Sequence, residues 1–200
     1  MLGLDDVKLL HALSCVALCL IIALPTLAMV VSFPQGEPFS EIWLLGAEHV
    51  AEAYPFNVAA DAVYRVYLGV GNHMGRLEAY RVLVKLRNQT EPLPDASSGT
   101  PSGLGSLFEY RMFAADRQAW EHMVAFAFTG VSFEDDVCRV SGLVVDGHAV
   151  SAETSAVWDE ENRGFYVQLF FELWRYNNML SAFQYHGRFV GLWLNMTRMI

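Results

Sequence analysis

The sequence predicts a mainly β fold: an antiparallel β-sandwich ectodomain preceded by one amino-terminal transmembrane helix. Three observations predict it. The 200 residues are 54% hydrophobic and 18% charged, above and below the roughly 45–50% and about 25% of soluble domains, so the chain holds a large core, a membrane segment, or both. The apolar excess is concentrated at the start, where residues 9–33 run without a charge. Beyond Pro34 the chain breaks into short runs rich in Val, Tyr, Phe and Trp with period-two alternation, the pattern of half-buried strands.

The first element is the uncharged run. As a helix it spans roughly 37 Å at about 1.5 Å per residue, more than the ~30 Å hydrocarbon core of a bilayer, and Pro25 would kink it. A cleaved secretory signal is the competing reading, but it asks for a basic leader and a shorter apolar stretch. Residues 1–8 carry Asp5, Asp6 and Lys8, a net negative leader. Residues 9–33 are therefore expected to be a signal anchor. Lys8 is the one basic residue before it, a weak orientation signal. Either reading exports residues 34–200, and the expected location is the cell membrane, single-pass, with the carboxyl-terminal domain outside. Cys15 and Cys19 lie one turn apart in the anchor and Cys138 stands alone beyond it. No disulfide can form inside the exported domain, so its stability must come from its core.

The strands follow in order. Residues 39–45 open the domain. In 63–70, Tyr64, Val66, Leu68 and Val70 alternate with Arg65, Tyr67 and Gly69; in 79–87, Tyr80, Val82, Val84 and Leu86 oppose Arg81, Lys85 and Arg87. These two runs are expected to pair through the turn 71–78, with Asn72 and His73 closing it. Further strands are expected at 107–115, 123–133, 138–145, 165–176 and 189–196, with Asp146-Gly147 as a hairpin turn. Helix is scarce: a turn or two at 47–53 and at 116–121, the latter capped by Asp116. Residues 91–106, with three prolines, three glycines and four serines, are expected to be a flexible loop inside the domain. Short strands at this spacing suit an immunoglobulin-like arrangement.

Charge and motifs then narrow the chemistry. Thirteen basic against 22 acidic residues give a net charge of −9, which argues against nucleic acid. The six histidines show no ligand spacing, so no metal site is expected. Glu134-Asp135-Asp136 and Asp159-Glu160-Glu161 sit beside turns and match no calcium loop. No nucleophile elbow, phosphate loop or dinucleotide fingerprint is present, so no cofactor and no catalysis are expected. Glu41, Glu109, Glu153 and Glu172 are the material for a two-carboxylate glycan hydrolase, unless they occupy a solvated sheet face. Within 165–174 both faces are apolar. Phe165, Val167, Leu169, Phe171 and Leu173 form one, and Tyr166, Phe170 and Trp174 form the other, a candidate contact surface if no loop or helix covers it. Asn88 and Asn195 head N-glycosylation sequons.

Several strings are familiar together: Pro38-Phe39-Ser40-Glu41, Leu44-Leu45-Gly46, Tyr54-Pro55 and Gly69-Val70-Gly71-Asn72-His73. They resemble the archaeal membrane proteins grouped as domain of unknown function 1616, over residues 37–90, with the remainder, including Trp193-Leu194-Asn195-Met196-Thr197, similar in general character. The resemblance implies an archaeal, envelope-located protein and supplies no chemistry. Members of that family often carry several membrane helices and an acidic residue after the Asn-His pair, where this chain has one such run and Met74. The expectation is a non-enzymatic, membrane-anchored extracytoplasmic binding or structural protein of the archaeal envelope, such as an accessory subunit of a membrane complex. Its expected partners are the lipid membrane through residues 9–33, a protein or second copy, and a glycan. A glycan-active hydrolase and a fibre-forming envelope subunit are the alternatives.

Overall fold

The computed structural model describes residues 4–30 and 37–198, and within the first stretch the side chains of residues 8, 9 and 11–23. The chain divides into two compact units, Met1–Pro38 and Phe39–Ile200. In the first, α1 (Leu4–Val30) is a 27-residue helix that runs through Pro25. Leu9, Leu13, Val16, Leu18, Leu20 and Ile21 are exposed on it. Among the described residues no helix is long and apolar enough to cross a membrane. Residues 31–33, which end the uncharged run, lie outside the described residues, as does Pro34.

The second unit is mainly β, built from β1 (Phe39–Leu45), β2 (Asn57–Ala59), β3 (Tyr64–His73), β4 (Glu78–Asn88), β5 (Phe108–Ala114), β6 (Gln118–Glu134), β7 (Val137–Val145), β8 (His148–Asp159), β9 (Gly164–Asn177) and β10 (Ala182–Thr197). Hydrogen bonding follows one curled path, β1-β3-β6-β7-β8-β9-β10-β2, with β4 on β9 and β5 on β4. The pairings are antiparallel except β10 with β2. Two five-stranded halves result, β1-β3-β6-β7-β8 and β5-β4-β9-β10-β2, joined where Trp158 pairs with Phe165 and Asp159 with Gly164. The ten strands thus form one continuous hydrogen-bonded sheet, its two halves linked through those two residue pairs.

Alternation puts one face of each half into a shared core. Val66, Leu68 and Val70 of β3 and Val124, Phe126 and Phe128 of β6 join Val82 and Val84 of β4, Leu169, Phe171 and Leu173 of β9 and Leu194 of β10. Each such side chain contributes about 1.5–3 kcal/mol by leaving water. The expected β3–β4 pair does not form. β3 lies between β1 and β6, β4 between β5 and β9, and residues 74–77 cross from one half to the other. The reason is burial: β4 is covered on both faces, down to Lys85 and Arg87, and takes a central position that a hairpin with β3 would deny it.

Neither expected helical turn forms. Residues 118–121 extend β6, because Gln118 to His122 pair with Asn72 to Leu68, and tertiary pairing overrides weak local preference. Asp116 accepts the Gly75 N–H at 2.7 Å instead of capping a helix. Residues 47–51 are turns and bends. Loop 91–106 is no free tether either: Asp95 and Thr100 form a bridge, and Ser102 is buried against β4 and β9. The Asp146-Gly147 hairpin forms as expected, with φ of 48° and 79°. Asp146 also accepts Ala125 N–H, Tyr110 hydroxyl and His122 Nε2 bonds at 2.7–2.8 Å, tying β5 to the opposite half. Burial alone would raise its carboxyl pKa, but these donors outweigh burial and hold it below the ordinary range.

The β9–β10 ladder shifts register between Tyr185 and Arg188, and His186 sits in the shift. Burial, then the cations Arg175 and Arg188, push its pKa down to about 4 against the pull of Glu78. A histidine with a depressed folded pKa binds its proton more readily unfolded. Stability is therefore expected to fall as pH drops from about 6.5 to about 4, and to level below. Urea melts across that range check this, and His186→Gln should flatten the slope.

Candidate ligand-binding cleft

The outward face of the second half is ordered by the ladder. Arg87 of β4, Gln168 of β9 and Trp193 of β10 share one row. Arg87 Nε donates to Gln168 Oε1 at 2.8 Å, its guanidinium lies 5.0 Å from the Trp193 ring centre, and it also donates to the Glu91 carbonyl. The indole is held from below by a buried cation and remains 38% exposed. Two residues along β9, Tyr166 points to the same side and donates its hydroxyl to the Asn162 carbonyl at 2.7 Å. Gly164 makes this possible, since a Cβ there would sit 2.5 Å from Asn195 Oδ1 and 2.8 Å from Tyr166 Cζ.

Phe56 enters from just ahead of β2, whose carbonyl accepts the Asn195 N–H at 2.7 Å. Its ring is 50% exposed and 6.0 Å from Tyr166, inclined by 39°. The β8–β9 turn supplies Asp159 and Asn162. The Asn162 side chain and N–H bond the Asp159 carboxylate, as does the Glu161 N–H, at 2.9–3.0 Å, and hold its pKa below the usual range. Gln89 closes the remaining side. Together Phe56, Gln89, Asp159, Asn162, Tyr166 and Trp193 line a cleft of about 330 Å³. Three rings, two carboxamides and one ionised carboxylate can stack on a ligand and trade hydrogen bonds with it. The carboxamides do not titrate and the carboxylate stays charged, so this lining suits recognition.

The sequence-expected residues scatter relative to this cleft. Tyr166 lines it, but Phe170 is fully buried and Trp174 half-buried with its Nε1 3.2 Å from Glu172 Oε2, so the three do not form one exposed face. The physical reason is local packing: Ser102 of loop 91–106 bonds Glu172 between the two rings, and Trp174 is flanked by Arg81 and Tyr185. Asn72 is buried in the first half and extended, with left-handed backbone at Gly75 instead. Its Nδ2 donates to the carbonyls of Arg76 and Ala114 at 2.8 and 2.7 Å, and its Oδ1 accepts from Met74 N–H and the Tyr80 hydroxyl at 2.9 and 3.1 Å. His73 stacks on Phe39 and meets Glu41 at 3.1 Å. Asn88 donates to the Ser155 carbonyl at 3.0 Å and Asn195 to Asn57 Oδ1 at 2.9 Å, so both sequon amides are engaged within the fold.

Of the four glutamates, Glu41 and Glu153 stand on β1 and β8, Glu109 and Glu172 on β5 and β9. Glu109 and Glu172 share the row of Leu83, two strand spacings or about 10 Å apart. Glu172 is fully buried and bonded to Lys85 Nζ at 2.9 Å, while Glu109 pairs with Arg111 and Arg81. Among the described residues no group of three or more His, Cys, Asp or Glu is arranged to hold a metal ion. The Lys85–Glu172 pair was unforeseen. Its signal was a lone carboxylate inside Phe170-Phe171-Glu172-Leu173-Trp174, where burial on both faces demands a cation.

No curated protein matches the chain. A family model described as domain of unknown function DUF1616 matches residues 34–157. The match covers β1 to β7 and most of β8, and it ends before β9 and β10, which carry Tyr166 and Trp193. With more than half of its length matched, the chain belongs to the DUF1616 family.

Proposed function

We propose that this chain is a non-enzymatic, membrane-anchored extracytoplasmic protein of an archaeal cell envelope that acts by binding, with the β unit as the binding module. The preassembled cleft of Phe56, Tyr166 and Trp193 carries this reading: half-exposed aromatic rings are retained at a cost in solubility when something stacks on them. The uncharged run 9–33 supports the anchor, as do the exposed apolar side chains of α1, which a lipid environment would cover. The apolar core shared by both halves of the sheet supports reading the β unit as a rigid two-layer, sandwich-like scaffold. An accessory-subunit role is favoured by β5. It pairs with β4 alone among the described strands and carries Phe113, 76% exposed, so its free edge offers a protein partner a ladder.

The test uses the full chain in its native membranes. Alkaline carbonate should leave it in the pellet, and protease added to sealed, right-side-out vesicles should digest residues 39–198 while sparing a small amino-terminal fragment. Gentle detergent extraction and affinity isolation should then recover it with a stoichiometric protein. Release by carbonate, or full protection from protease, overturns the anchored extracytoplasmic reading. Isolation of a bare, monodisperse chain overturns the obligate-subunit role.

A further inference from the structure

We propose that the cleft lined by Phe56, Gln89, Asp159, Asn162, Tyr166 and Trp193 is a carbohydrate site, taking a neutral pyranose unit of a glycan. This rests on the binding role proposed above and names its ligand class. A pyranose presents a flat face of C–H bonds beside a rim of hydroxyls that both donate and accept. The cleft is the complement of that surface: three rings to meet the C–H face, and two carboxamides and a carboxylate to meet the rim.

Other ligand chemistries fit less well. No Lys or Arg lines the cleft, and residues 34–200 carry a net charge of −8, so a phosphate, sulfate or carboxylate would meet Asp159 uncompensated. A wholly apolar ligand would strip water from Asp159, Asn162 and Gln89 without replacing it. A quaternary ammonium would use the rings and Asp159, but it carries no hydroxyl rim, and the two amides would have no task.

The lining is also held before any ligand arrives. Arg87, itself bonded to Gln168, lies against the Trp193 ring, the Asn162 carbonyl fixes the Tyr166 hydroxyl, and Gly164 leaves room for the Tyr166 ring beside Asn195. Little side-chain freedom remains to be lost on binding, which matters for a ligand whose hydroxyls exchange water bonds for protein bonds at small net gain. The site lies wholly within the β unit, where an exported domain would meet envelope glycans.

The experiment titrates the full chain in detergent micelles with neutral oligosaccharides of glucose, mannose, galactose and N-acetylglucosamine. Saturation-transfer NMR and tryptophan fluorescence are the readouts, with inorganic phosphate and tetramethylammonium as comparison probes. At least one neutral sugar should bind and quench or shift the Trp193 emission. Phe56→Ala and Trp193→Ala should each weaken it about tenfold or more. Phe56 is half exposed, so its variant should keep the parent melting temperature even if Trp193→Ala does not. The proposal is overturned if no neutral sugar binds at millimolar concentration, if binding survives Phe56→Ala unchanged, or if tetramethylammonium binds the cleft in preference. Those results leave the vesicle and copurification outcomes untouched, so failure of the sugar site is separable from failure of the membrane-anchored binding role.

Discussion

Replacing Lys85 with methionine should destabilise the β unit by about 3–5 kcal/mol, the cost of leaving a buried charge without its partner. Lys85 is 3% exposed and Glu172 is fully buried. The ammonium donates to Glu172 Oε2 at 2.9 Å and to the Ser102 hydroxyl and carbonyl at 2.9 and 3.2 Å, while Glu172 Oε1 accepts the Ser102 N–H at 2.9 Å. The single variant strands the carboxylate under the loop. The double variant Lys85→Met/Glu172→Leu removes both charges and should recover most of the loss, because two well-packed apolar side chains replace an ion pair at little net cost. It should not recover the loop, since Ser102 loses its charged partners. Denaturant melts of the two variants read the first effect, and limited proteolysis within residues 91–106 reads the second. Equal instability of single and double variants would show that the pair itself, rather than the orphaned charge, sets the energy.

Asn72→Ala should cost about 2–4 kcal/mol, since a buried donor or acceptor without a partner costs roughly 1–3 kcal/mol. Asn72 serves four groups: the carbonyls of Arg76 and Ala114, the N–H of Met74 and the hydroxyl of Tyr80, which itself bonds Ser40 at 2.7 Å. The four come from β4, the end of β5 and the crossing segment between β3 and β4, and Tyr80 passes the network on to Ser40 of β1. One amide thus secures the passage of the chain between the two halves. Asn72→Asp keeps one acceptor but turns a buried carboxylate oxygen toward the carbonyls of Arg76 and Ala114, so at neutral pH its loss in urea melts should exceed that of Asn72→Ala and shrink as the pH falls. A near-neutral Asn72→Ala would show that water replaces the amide and that the crossing is held elsewhere.

The strands were legible where a single rule governed them. Residues 39–45 coincide with β1, the Asp146-Gly147 turn with its hairpin, and the two faces of 165–174 with the inner and outer sides of β9. Pairing was not legible. The alternation of Tyr64 to Val70 and of Tyr80 to Leu86 says which residues face a core, but the same core is reached from either half, so adjacency in the chain suggested a hairpin that the fold does not use. β2 was invisible because three residues show no period. Residues 116–121 suit a helical turn by local preference alone, but the β3 partner draws 118–121 into a ladder. The cleft was legible in one residue, Tyr166. Phe56, the Asp159–Asn162 turn and Trp193 come from three separate segments, and their convergence depends on the β10–β2 pairing, a contact across 138 positions of the chain at Asn57 and Asn195.

That parallel pairing of β2 with β10 has a consequence for biogenesis. Phe56 has emerged from the ribosome long before Trp193 exists, and at about 5–20 residues per second several seconds separate them. Until β10 arrives, β2 has no partner strand and the cleft lacks Trp193. Pairings of such long range close late because the intervening chain must first be ordered. A chain truncated anywhere before β10 therefore lacks a finished cleft, however well β6, β7 and β8 have folded. The completed cleft thus marks the last long-range pairing of the sheet, since Phe56 and Trp193 are brought to one site only when β10 lies along β2.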